Sequence, residues 1–169
     1  MMQRSMLRAV VVGGLAGGAL DLLFAVSFAG YNGAAPTRVF QAIASGILGN
    51  DAFTGGAGVS LLGIACHFGL SLLWAAFFAA AALRIPALMR HPVRSAIGFG
   101  LIVFLSMRLV VLPLSAYPHP VTFKPLATVL DVLSHMFLFG LPIALAVSRA
   151  GPLRQTLAIQ PEKNSGVGL

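Results

Sequence analysis

The chain has 169 residues, 58% of them hydrophobic and only 9% charged. Soluble domains carry about 25% charged residues, so a water-facing surface around a core of this size is excluded and the lipid bilayer is the expected solvent. The net charge of +7 is spread beside the apolar stretches instead of forming a patch, which excludes a nucleic-acid partner, and the single cysteine, Cys66, excludes an internal disulfide.

Four apolar stretches, at about 7–29, 57–83, 93–115 and 125–148, reach the roughly 20 residues that a membrane-crossing helix needs. The expected fold is therefore all-α: an integral-membrane four-helix bundle over residues 1–150. In the first stretch Ala9, Gly13, Gly17 and Asp21 recur every four residues, and Gly14 and Gly18 make a parallel row. Small residues at this spacing let helix backbones approach closely in lipid. Asp21 thus continues a packing stripe. Arg4 and Arg8 ahead of the run, with Ser27-Phe28-Ala29 near its end, also have the layout of a cleaved signal peptide. Asp21 and the length of the run favour a retained helix.

The segment 36–49, PTRVFQAIASGILG, is too short to span. Val39, Phe40, Ile43 and Ile47 share one helical face, and Arg38, Gln41 and Ser45 another. A short amphipathic helix lying at the interface or re-entering it, and a helix capping the end of the bundle, both fit this pattern. Asn50, Asp51, Gly55 and Gly56 mark a turn. In the second stretch Gly63, His67, Ser71, Ala75 and Ala79 form a row, and in the third Ala96, Gly100, Phe104 and Arg108 align. Pro125 suits the first position of the fourth helix. Asp131 and His135 are one turn apart on that helix, with Thr128 on the same face. Pro113 and Pro142 are expected to bend their helices. Residues 151–169 are expected to be a disordered cytoplasmic tail.

Lysine and arginine counts set the orientation. Arg4, Arg8, Arg84, Arg90, Arg94, Arg149, Arg154 and Lys163 fall on one side of the four spans, and only Arg38 and Lys124 on the other. The positive-inside rule then places both termini in the cytoplasm of a cell with an inner membrane. Tyr31 and Tyr117 suit an interfacial belt.

Asp21, His67, Arg108, Asp131 and His135 lie inside these spans. A charge in hydrocarbon costs at least about 2.5–3.5 kcal/mol, so such residues face the protein interior and find partners. At about 1.5 Å per residue all five fall within roughly 10–15 Å of the outer ends of their helices. A shared polar cluster in the outer half of the bilayer is expected. Arg108 can fork to one carboxylate only, so the second Asp needs a proton or an imidazolium. Each residue also has a plainer role: Arg108 snorkelling alone, Asp131 stabilising a helix end, His67 bonding a neighbouring carbonyl.

No phosphate loop, dinucleotide fingerprint, HExxH, CxxC or GxSxG motif is present. GGLAGG at 13–18 lies inside a span and follows no strand, so it reads as packing. The expected function is that of a non-enzymatic accessory or transport-related subunit of the inner membrane, without a cofactor. Its partners are the lipid bilayer and either a second copy or another membrane protein. The alternative is a redox subunit, with His67 and His135 holding haem b axially, or a metal bound by His67, His135 and Asp131.

Several of these segments occur together: GGLAGGALDLLFA, PTRVFQAIASGILG, the glycines at 55, 56 and 58, the span with His67 and Trp74, VVLPLSA at 110–116 and GLPIALAVSR at 140–149. In this combination, over most of residues 7–150, the chain resembles a family of small, uncharacterised bacterial four-span inner-membrane proteins. The resemblance implies an integral membrane protein and assigns no catalytic residue.

Overall fold

The computed structural model describes residues 2–150, so the tail expected at 151–169 lies outside the described residues. Every regular element among them is helical. They are α1 (Met2–Tyr31), α2 (Pro36–Leu48), α3 (Ala57–Arg84), the single turn α4 (Ala87–Arg90), α5 (Pro92–Leu114) and α6 (Pro125–Ala150). A 3₁₀ segment, Gly49–Thr54, joins α2 to α3. Helices α1, α3, α5 and α6 are each long and apolar enough to cross a membrane.

Local sequence explains the ends. α1 runs without proline until Asn32, whose side-chain amide donates to the Phe28 carbonyl at 2.7 Å. Gly33 follows at φ +82°, a conformation open to glycine, and Ala34 N–H then closes on the Ala29 carbonyl. α2, α5 and α6 all start on proline, whose missing N–H is harmless there. Gly49, at φ +61°, ends α2.

The two glycine rows of α1 face different partners. Gly13 and Gly17 lie against α6, where a Cβ on Gly17 would come within 2.7 Å of the Phe139 carbonyl oxygen. Gly14 and Gly18 lie against α3, and the Ser71 hydroxyl donates to the Gly14 carbonyl at 2.6 Å. α5 packs on α6, and the close approach rests on Gly100 and Gly140. Rings complete the interior: Phe78 of α3 meets Phe99 of α5 at 4.8 Å, and Phe99 meets Phe139 of α6 at 6.2 Å. Large apolar side chains such as Leu7, Leu61, Ile102 and Leu126 point outward on all four long helices. Inside, small residues and the rings of Phe78, Phe99 and Phe139 mix with Val103, Ile143 and Val147, while many large aliphatic side chains face outward. So many exposed large apolar side chains on all four long helices fit an apolar solvent.

α2 likewise turns large apolar side chains outward. Its small and polar residues Gln41, Ala44 and Ser45 are buried, while Ile47 is exposed. The Gln41 amide donates to the Gly55 carbonyl at 2.7 Å, and the Phe40 backbone sits directly on Gly63 of α3. The helix therefore covers one end of α3 with its polar side inward. The loop after α5 closes over the same end: Ala116 N–H donates to the Gly46 carbonyl, and His119 packs on Phe53 and Tyr117.

The prolines within α5 and α6 have an effect that the expected bends do not describe. Just ahead of Pro113, residues Met107–Val111 adopt a π register, and the N–H of Leu112 reaches back to the Met107 carbonyl. Just ahead of Pro142, residues Ser134–Gly140 do the same. A proline donates no hydrogen to the carbonyl four residues earlier. A wider turn upstream redistributes the remaining donors while the helix continues.

Candidate functional site

Arg108, Ser134 and His135 all lie in these π segments. The wide turns present them toward the neighbouring helices. One Arg108 nitrogen, Nη2, donates to Asp131 Oδ2 at 2.6 Å, and the other, Nη1, to the Thr122 carbonyl at 3.4 Å. The guanidinium carbon lies 5.7 Å from the centroid of the Phe104 ring. The second oxygen of Asp131, Oδ1, is 3.2 Å from His135 Nδ1. Asp131 thus bridges Arg108 and His135, one oxygen to each, in place of the expected two-point fork.

His135 carries the chain of contacts to α1. Its Nδ1 is 2.9 Å from the Asp131 carbonyl and 3.8 Å from Asp21 Oδ1. Both are acceptors, so this nitrogen bears a hydrogen. The Ser134 hydroxyl donates to Asp21 Oδ1 at 2.8 Å. The side chains of Asp21 and His135 are only 14% and 15% exposed, whereas Arg108 is 27% exposed toward the 115–124 loop. The group therefore runs from the loop end of α5, through α6, to the packing stripe of α1. Among the described residues no buried side-chain nitrogen or oxygen lacks a partner. Phe104 and Phe139 border His135 at 5.8 and 6.2 Å and separate the group from the apolar interior.

His67 stands elsewhere. Its Nε2 is 2.8 Å from the Gly18 carbonyl, and the ring packs edge-on against Phe68. It ties α3 to α1 beside the Ser71 bond, and no hydrogen bond or ion pair joins it to the other four residues. Facing a carbonyl, Nε2 carries its hydrogen, which leaves the lone pair of the neutral ring on Nδ1. Among the described residues no group of three or more His, Cys, Asp or Glu side chains is placed to hold a metal ion. Thr128 makes no side-chain hydrogen bond to the group either.

Ser134 is the member that the sequence reading misses. A lone serine in an apolar helix carries no charge and is common at helix contacts. Its one signal is adjacency to His135 on the helix that also carries Asp131.

With two carboxylates, one guanidinium and one imidazole, the group is electrically neutral when His135 is protonated and carries one negative charge when it is not. Comparison with known proteins leaves the chemistry to this geometry: no family model, no curated protein and no solved structure matches the chain.

Proposed function

We propose that this chain is an integral inner-membrane protein whose four long helices form a transmembrane bundle with both termini in the cytoplasm. In this reading it is a non-enzymatic accessory or transport-related subunit. The Arg108–Asp131–His135–Asp21–Ser134 group latches α1, α5 and α6 together in the outer half of the bilayer and exchanges a proton there. The observation that carries the reading is that these ionisable groups contact one another within helices that are otherwise apolar. Polar groups in lipid are retained when they meet partners or serve an ion path. The lysine and arginine asymmetry supports the orientation.

Cysteine labelling tests the orientation. Probes at positions 90 and 94 should react only after the inner membrane is opened, and probes at positions 32 and 51 should react from the periplasm. Labelling of position 90 from outside reverses the topology.

Proteoliposomes test the proton role. The protein should collapse an imposed pH gradient faster than empty vesicles do, and Asp131→Asn should return the rate to background. Asparagine keeps the size of the side chain but no longer supplies the charge that Arg108 and His135 face. Wild-type flux equal to that of empty vesicles would leave the latch alone.

A further inference from the structure

A shallow groove of about 680 Å³ runs along the outside of the seam between α1 and α6. Val12, Ala16 and Leu20 line it from α1, and Phe137 and Leu145 from α6. Arg8 and Arg149 line one end. Both arginines are exposed, and neither has a carboxylate partner among the described residues. No acidic side chain lines the groove. It is shallow because Gly13 brings α1 almost onto the backbone of α6 at Ile143, leaving the two helix surfaces to form the walls. From Arg8 to Leu20 the groove follows about 18 Å of helix, against a hydrocarbon core of roughly 15 Å per leaflet. Its length therefore matches one leaflet, with the arginines at headgroup depth. A second groove, of about 510 Å³ between α1 and α3, is lined by Met6, Val10, Ala76 and their apolar neighbours, without a charge.

We propose that the α1–α6 groove binds an anionic phospholipid of the cytoplasmic leaflet. An acyl chain lies along Val12, Ala16 and Leu20, and the phosphate sits between Arg8 and Arg149. The occupant follows from charge complementarity: two guanidiniums can fork to phosphate oxygens, and the apolar walls continue directly from them. The α1–α3 groove offers the same apolar surface without the charge and has no preference for headgroup. The inference rests on the membrane reading and on the cytoplasmic placement of both termini.

The test is thermal unfolding of the full chain in a mild detergent as phosphatidylglycerol or phosphatidylcholine is added. Phosphatidylglycerol should stabilise the protein at a concentration lower on the order of tenfold, the effect of two arginines on an anionic headgroup. Arg8→Gln/Arg149→Gln should remove this preference. Both side chains are exposed, so the double variant should unfold as cooperatively as wild type without lipid. Ala16→Trp, which fills the groove and keeps both arginines, should weaken stabilisation by either lipid. Arg84→Gln/Arg90→Gln, which removes charge from the same side but outside the groove, should leave the preference intact.

Three results would overturn the site: a preference that survives in Arg8→Gln/Arg149→Gln, one lost equally in Arg84→Gln/Arg90→Gln, or one reproduced by inorganic phosphate. Alkaline carbonate extraction separates this failure from a deeper one. A chain released from membranes by carbonate refutes the membrane reading itself. A chain that stays in the membrane and shows no lipid preference refutes only the groove.

Discussion

Arg108→Ala is expected to destabilise the protein by about 3 kcal/mol, the cost of leaving one partner of a largely buried ion pair alone. Asp131 would lose its 2.6 Å donor and keep only His135 on its other oxygen. Removing Asp131 as well should recover part of the loss, because no carboxylate is then left unpaired. The double variant Arg108→Ala/Asp131→Ala should therefore be more stable than the sum of the two single losses predicts, by about 1 kcal/mol or more. Unfolding in mixed micelles, followed by circular dichroism for all four members of the cycle, measures this coupling. Strict additivity would mean that Arg108 gains its stability from the Thr122 carbonyl and the loop, not from Asp131. The same cycle with Asp21 in place of Asp131 should show weaker coupling, since Arg108 reaches Asp21 only through Asp131 and His135.

Gly100→Val is expected to cost about 3 kcal/mol, the upper end of overpacking losses, and to lower the yield of folded protein. A Cβ at Gly100 would run into the His135 carbonyl and the Met136 Cα. Both are backbone atoms, so no side chain can swing aside, and α5 and α6 must separate where the π turn holds His135. Gly98 provides the control. It lies on the same helix, and a Cβ there meets nothing within 4 Å. Gly98→Val carries the same β-branched residue into the same helix and should shift the unfolding midpoint little. Equal losses at the two positions would show that helix propensity, not the α5–α6 approach, sets the cost.

The long helices are legible in the sequence because length and hydropathy are local properties. The expected stretch 93–115 and the observed Pro92–Leu114 differ by one residue at each end. The pairing of Asp131 with His135 is legible for the same reason, being one turn of one helix. The pairings between helices are not. Estimated depth places His67 level with the ionisable residues of the other helices, but depth says nothing about which way a ring points around the bundle. His67 takes the Gly18 carbonyl because α3 meets α1 through Gly14 and Gly18, a close contact that presents backbone instead of side chains. The π segments also escape notice. Pro113 and Pro142 announce a disturbed hydrogen-bond ladder, but a kink and a widened turn satisfy the same missing donor. For α2 the sequence correctly separates an apolar from a polar face, while which face turns inward depends on the solvent around the helix.

The contact between Asp21 and Ser134 has a consequence in time. The two residues are 113 positions apart along the chain. At roughly 5–20 residues per second, a ribosome delivers Ser134 about 6–23 s after Asp21. Throughout that interval the first helix holds a carboxylate whose partners do not yet exist, and its Gly13–Gly17 row waits for the same late helix. A nascent chain interrupted before Ser134 therefore presents a polar defect that the finished protein hides. Pulse-labelled truncations ending before Ser134 should be degraded faster than those ending after Ala150, giving the cell a chemical mark of incomplete synthesis.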